Sequence, residues 1–250
     1  VLGSLGSVAP ALGRGEVVKF VPVAKIRPMV PSLLRTLAGC LAGVSLAQAP
    51  VSGLVGVAAP TVAQGRPLLW ILRDGGSPDL VVQPLADGPV RYLAWCEAGQ
   101  PGRVLGGANE SGLAITGTLV PVANGGDEVR PGADAALCAV LKEALRSCRD
   151  VAAAETLLRS SDATGRAFAA NVVAIDAAGT AALFEVRPGS STRVDAATAE
   201  RGVLVRGGSF PMAEGQADER QRLAEAVFAR APADGISASF VLQQVARDLT

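Results

Sequence analysis

The residues that could carry chemistry in this chain are limited by the complete absence of histidine. Without histidine there is no Ser-His-Asp or Cys-His catalytic machinery and no histidine-ligated metal. A general base must therefore be a carboxylate, a lysine, a free α-amine, or an activated cysteine or tyrosine. Glu97 is a candidate pocket acid, because it follows the aromatic Trp95 at the end of a predicted strand. A solvated turn residue is the alternative interpretation of Glu97.

A second carboxylate, Glu185, stands in the apolar stretch 180–186. Successive side chains on a strand point to opposite faces. Glu185 alternates with apolar neighbours, which predicts a side chain that points inward and binds substrate. A structural ion pair with an arginine is the alternative.

Four cysteines, at positions 40, 96, 138 and 148, match neither a zinc-binding spacing nor a CxxC redox pair. Cys138 and Cys148 fall on or near a predicted helix, where we expect them to be buried small apolar side chains. The pattern indicates a reducing cytoplasm without disulfides. We expect no metal and no cofactor.

The charge balance narrows the class of partner. The chain has 23 basic and 23 acidic residues, so its formal net charge is zero and no basic stripe predicts nucleic-acid binding.

No apolar run reaches membrane-spanning length, and residues 1–15 lack a signal peptide. The 20 arginines against 3 lysines are typical of a GC-rich bacterial genome. We therefore expect a cytoplasmic protein with a small-molecule substrate; because the chain begins at Val1, further N-terminal residues are expected.

The elements that must position these residues occur in blocks. Helical spacing is found at 31–48, 133–145, 151–158, 217–229 and 237–248. Short apolar stretches bounded by glycine, proline and aspartate predict strands at 51–59, 68–72, 80–82, 90–95, 104–105, 113–120, 171–176, 180–186 and 203–206. Blocks of strands and blocks of helices predict an α+β fold in which sheets lie between helices. Residues 1–15 are predicted to be a flexible N-terminus, and 16–250 a single domain.

Several motifs follow one another in the order of a known family. The run Gly107-Ala-Asn-Glu-Ser-Gly-Leu-Ala-Ile115 resembles the Asn-Glu-x-Gly-Leu-Ala signature of the choloylglycine hydrolase and penicillin acyltransferase branch of the N-terminal nucleophile (Ntn) hydrolases. Four further segments resemble elements of that family in the same order: 34–46, 65–69, 171–185 and 220–223. Together the motifs cover most of residues 30–250.

The resemblance implies a four-layer αββα sandwich of two antiparallel sheets flanked by helices. It also implies an amide hydrolase or acyltransferase whose nucleophile becomes N-terminal by self-cleavage and whose α-amine is the base. The family nucleophile falls on or near Ser52. Asp74 would bind or orient the α-amine, and Asn171 or nearby backbone would stabilise the oxyanion. We expect substrate contacts from five further residues: Trp70, Arg73, Trp95, Asn109 and Glu185.

The chain departs from the family at three points. Ser52 stands where the family has cysteine, Ile71 holds the position of a family arginine, and Gly207 replaces an oxyanion-binding asparagine. Arg73 is close in sequence to the lost arginine, but adjacent strand side chains point to opposite faces.

Two alternatives to the hydrolase therefore stay open. One is a repurposed fold that uses Asp74 and Glu97, beside Trp70 and Trp95, in a biosynthetic step such as cyclisation. The other is a non-catalytic binding subunit, with a homodimer or a partner protein left open. In all cases we expect Ser52, Asp74 and the turn before Leu113 to meet at one end of the sheets.

Overall fold

The computed structural model describes residues 53–73, 79–121, 132–163, 165–208, 219–232 and 235–245. The strands are β1 Gly53–Ala58, β2 Leu68–Arg73, β3 Leu80–Leu85, β4 Tyr92–Glu97, β5 Gln100–Asn109, β6 Ala114–Leu119, β7 Ala170–Ile175, β8 Ala181–Arg187, β9 Ser190–Asp195 and β10 Val203–Arg206. The helices are α1 Ala133–Ser147, α2 Val151–Ala163, α3 Glu219–Phe228 and the short α4 Ala238–Phe240, which continues as a π-helical turn Val241–Val245. The predicted flexible N-terminus and the helix at 31–48 lie outside the described residues.

The strands form two antiparallel sheets. The smaller sheet has the order β10-β1-β2, and the larger has the order β3-β4-β5-β6-β7-β8-β9. Every pair of neighbours in the larger sheet is consecutive in the sequence, as a meander requires. β10 is the exception in the smaller sheet, because it returns from the far end of the chain to pair with β1.

The smaller sheet has two apolar faces. Along β1, Leu54 and Ala58 pack in a cluster with Val227 and Phe228 of α3. The alternate residues of β1 pack in a different cluster with β7 and β8. Because side chains alternate along a strand, the smaller sheet must lie between α3 and the larger sheet.

The larger sheet is also apolar on both faces. Val173 and Leu183 belong to the cluster shared with β1. Their neighbours Val172 and Phe184 belong to the cluster that contains the buried faces of α1 and α2. The order is therefore helices, larger sheet, smaller sheet, helices, which confirms the four-layer αββα sandwich.

The helices α1 and α2 begin at the residues that the sequence indicated. α1 buries Leu137, Leu141 and Leu145 on one face, as its spacing predicted. Asp150 caps α2, since its Oδ1 accepts the backbone N–H of Ala153 at 2.7 Å. Of the helices that the structure describes, none combines the length and apolar character needed to cross a membrane.

Candidate functional site

Polar side chains bridge the two sheets at one end of the space between them. Four contacts do so: Arg73 Nη2 to Glu97 Oε1 at 3.4 Å, Thr118 Oγ1 to the Gly53 carbonyl at 3.3 Å, Asn171 Nδ2 to the Gly207 carbonyl at 2.9 Å, and Arg206 Nε to Glu185 Oε1 at 3.1 Å. We call these six side chains and two carbonyls the polar row. A buried apolar cluster lies beside the polar row between the sheets, so the polar row is the candidate site.

Strand register explains why these side chains meet. In the larger sheet Thr118 lies opposite Asn171, and Asn171 lies opposite Glu185. Directly opposed residues have side chains on the same face and about 5 Å apart. In the smaller sheet Gly53 lies opposite Arg73. Both sheets therefore place their polar residues at the end where β1 begins.

Glu97 is the centre of an ion cluster and not a solvated turn residue. It is fully buried. Its Oε2 accepts from Arg103 Nη1 at 2.5 Å and from Gln100 Nε2 at 3.2 Å, while its Oε1 faces Arg73. Arg103 also pairs with Asp134 of α1 at 2.8 Å. Burial lowers the pKa of the Arg73 guanidinium, and the nearby Glu97 carboxylate opposes that shift. Glu97 thus fixes the position of Arg73.

Glu185 forms the ion pair that the sequence allowed as an alternative. Its carboxylate and the Arg206 guanidinium are both buried. Arg206 also donates from Nη1 to the Val205 carbonyl at 2.7 Å, which holds the guanidinium in the space between the sheets. The pair links β8 to β10 and thereby fixes the backbone that leads into Gly207.

Asn171 and Thr118 are completely buried polar residues beside the first residue of β1. The Asn171 amide holds the carbonyl of Gly207, the position at which the resembled family has its asparagine. A buried amide donor close to the start of β1 is the kind of group that stabilises an oxyanion.

Ser52 and Asp74 lie outside the described residues. Their sequence neighbours Gly53 and Arg73 are paired across β1 and β2. Gly53 has a φ of 146°, and a Cβ there would come within 2.1 Å of the Leu72 carbonyl oxygen. Only glycine fits that position, so the entry into β1 has a fixed conformation.

Asn109 lies far from the polar row. Its Nδ2 donates to the carbonyls of Leu145 and Cys148, at 3.0 and 2.7 Å, at the end of α1. Its Oδ1 accepts from the backbone of Ser111 and Leu113 within the turn. This turn leads into β6 at Ala114, whereas Thr118 lies near the other end of the same strand. At 3.3 Å per residue, the distance along β6 from Ala114 to Thr118 is about 13 Å. The expected convergence of this turn with the residues at the start of β1 is therefore wrong.

The two tryptophans lie in different layers. Trp70 is buried on the outer side of the smaller sheet, with its ring centroid 5.0 Å from that of Phe228. Trp95 lies over Gly106 on the side of the larger sheet opposite α1. Trp70 is separated from Glu97 by the smaller sheet itself, so only Trp95 is near the Glu97 cluster.

Sequence reasoning missed Thr118 and Arg103. Thr118 has a weak signal, because Thr116 and Thr118 alternate within an otherwise apolar strand. Arg103 has no comparable signal, since nothing in its neighbourhood marks it as the partner of Glu97. In the parts of the chain that the structure describes, no group of three or more acidic or thiol side chains is placed to hold a metal ion.

The buried thiol of Cys138 on α1 makes a prediction about reactivity. Burial raises the pKa of the Cys138 thiol to about 11, with Arg103 opposing the shift. The thiolate is the reactive form. At pH 8 we expect iodoacetamide to modify Cys138 about a hundredfold more slowly in the folded than in the unfolded chain, followed by peptide mass spectrometry. Because the folded state favours the protonated thiol, its contribution to stability is present below the ordinary pKa of 9.0 and is lost as the pH rises through about 11. Equal rates at pH 8 would contradict the buried placement.

Comparisons with known proteins give structural matches only. No protein-family model and no curated protein matches the chain. Penicillin V acylase from Agrobacterium tumefaciens is 14% identical with a TM-score of 0.40, over 80% of this chain and 64% of that one. Two variants of conjugated bile acid hydrolase from Clostridium perfringens are 12% identical with TM-scores of 0.33 and 0.32, over 65% and 64% of this chain and 47% of each of theirs. The chain spans between about half and two thirds of the length of these structures.

Proposed function

We propose that this chain is an Ntn-type amide hydrolase or acyltransferase that acts on a small molecule, with Ser52 as its nucleophile. The observation that carries the proposal is the position of the polar row at the start of β1. Ser52 is joined directly to Gly53, whose carbonyl accepts from Thr118. Asn171, the proposed oxyanion donor, is opposite Thr118 in the next strand.

Activation of Ser52 requires one self-cleavage. The Ser52 hydroxyl attacks the Val51 carbonyl, the peptide bond to the Ser52 nitrogen breaks, and an ester forms. Water then hydrolyses the ester, which leaves a Val51 carboxylate and a free Ser52 α-amine. That amine is the base that a chain without histidine needs.

The substrate reaction uses the same groups. The α-amine takes the hydroxyl proton as Ser52 attacks the substrate amide, and the amine leaving group departs with a proton. Asn171 donates to the oxyanion of the tetrahedral intermediate. Asp74 orients the α-amine, and Arg73 is held beside the site by Glu97. Water as acceptor completes hydrolysis, and an amine as acceptor completes acyl transfer.

The contacts of Glu97 favour this proposal over the carboxylate alternative. A general acid or base must be within hydrogen-bond reach of the proton that it moves. Both Glu97 oxygens already accept from side chains of the cluster, and Trp70 is on the other side of the smaller sheet. Glu97 is therefore assigned the role of positioning Arg73.

The test is the mass of the purified chain during incubation. We expect a fragment that begins at Ser52, whose new α-amine reacts with an amine-specific label. Ser52→Ala should stay intact, and Ser52→Cys should cleave, because a thiol is also a competent nucleophile. Ser160→Ala is the matched control, since Ser160 is exposed on α2 and should leave cleavage unchanged. A purified wild-type chain of intact mass, with no fragment that begins at Ser52, would disprove the proposal.

A further inference from the structure

Two buried threonines of β6 use their hydroxyls differently. Thr116 and Thr118 are both completely buried, and residues two apart on a strand lie on the same side of the sheet. The Thr116 hydroxyl donates to the Leu105 carbonyl of β5, within the larger sheet. The Thr118 hydroxyl donates at 3.3 Å to the Gly53 carbonyl of β1, across the space between the sheets. Thr118 therefore connects the larger sheet to the first residue of β1.

Gly53 is held by both sheets. In the smaller sheet it lies opposite Arg73 of β2. Its φ of 146° and its close approach to the Leu72 carbonyl leave room for glycine only. Its own carbonyl is held from the larger sheet by Thr118. The fold thus determines the direction in which the backbone enters β1.

We propose that Thr118 is a positioning residue for Ser52 that acts through the Gly53 carbonyl, a role that rests on the proposed function of Ser52 as the nucleophile. One peptide bond joins Ser52 to Gly53. After cleavage before Ser52, that bond is the only covalent tether of the new chain end. Rotation of the Gly53 backbone would therefore move both the hydroxyl and the α-amine of Ser52. A displacement of about 1 Å at a reacting group can lower a rate about a hundredfold.

The surroundings of Thr118 suit this role. A β-branched side chain on a strand has few allowed χ1 rotamers, so the Thr118 hydroxyl keeps one direction. Asn171, the proposed oxyanion donor, lies directly opposite Thr118 on β7. Opposed side chains are about 5 Å apart, so the Thr118 hydroxyl holds Gly53 close to the Asn171 amide. Thr118 thereby aligns the start of β1 with the oxyanion donor.

The rate of self-cleavage before Ser52 tests this role. Thr118→Val keeps the branched shape but removes the donor, and we expect it to cleave about tenfold or more slowly than the wild type. Thr118→Ser keeps the donor but loses a buried methyl group, and we expect it to cleave at close to the wild-type rate. Thr116→Val is the matched control on the same strand and should cleave at the wild-type rate. The fraction of chains that begin at Ser52 is followed at a temperature at which circular dichroism shows each variant to be folded.

The order of these rates separates positioning from packing. A packing role requires the opposite order, because valine fills the volume of threonine and serine leaves a cavity. Wild-type cleavage in Thr118→Val, equal rates in Thr118→Val and Thr118→Ser, or equal slowing in Thr116→Val would each overturn the proposal. If Thr118→Val does not fold, Thr118→Ala replaces it, because it differs from Thr118→Ser by the hydroxyl alone; equal rates in those two would refute the role. A wild-type chain that stays intact would overturn the proposed function and this role together, whereas the other outcomes leave the proposed function standing.

Discussion

Glu97→Ala is expected to lower the free energy of unfolding by about 3–5 kcal/mol, the typical result of removing one partner from a buried ion pair. The carboxylate is fully buried and contacts both Arg73 and Arg103. Arg103 would keep Asp134, but Arg73 would lose the buried anion that opposes its desolvation. Denaturant titration of the wild type and the variant measures the difference.

Two further variants make this result specific. Glu97→Gln keeps the shape and one acceptor oxygen, so its loss should be smaller than that of Glu97→Ala. Glu143→Ala removes a partly exposed partner of Arg146 on α1 and should change the stability by less than about 1 kcal/mol. If Glu97→Ala were no worse than Glu143→Ala, the Glu97 cluster would not hold the two sheets together.

Asn171→Ala is expected to slow self-cleavage before Ser52 by about a hundredfold or more, the usual effect of losing one oxyanion donor. Self-cleavage is the useful readout, because it forms an oxyanion without requiring a known substrate. The rate is measured as the fraction of chains that begin at Ser52 over time.

The control for this variant is Thr116→Val. Thr116 is buried on β6, two residues from Thr118, and its hydroxyl donates to the Leu105 carbonyl at 2.8 Å and not to a group of the polar row. It should destabilise the fold without slowing cleavage at temperatures at which the protein stays folded. Cleavage that is equally slow in both variants would assign Asn171 a structural role only.

Local pattern was sufficient for most of the fold. The nearly continuous apolar runs of β7 and β8 and the turn between them predicted that hairpin, because both faces of these strands are buried and the turn contains Gly179. The spacing of α1 predicted its buried face. β9 was missed, because a polar strand at the edge of a sheet carries no apolar alternation to detect.

The site was less accessible to local reasoning. The sequence identified Glu97 as a candidate, but its partners Arg73 and Arg103 come from other strands, β2 and β5. In addition, a bulge around Cys96 shifts the register between β4 and β5, and local pattern does not show such a shift. The Asn109 motif was recognised, yet its hydrogen bonds stabilise the turn and the end of α1. A motif shows which residue types occur together and does not show which end of a strand they occupy.

The sequence by itself determined the layered α+β class and the absence of histidine chemistry, because periodicity and composition are properties of the chain alone. Only the tertiary structure decided that Thr118, Asn171 and Glu185 form one row, and that Trp70 lies behind a sheet. Those outcomes depend on strand register, since a shift of one residue moves every side chain to the other face. Register is set by packing between segments far apart in the chain, as when β10 returns to pair with β1 and brings Arg206 to Glu185.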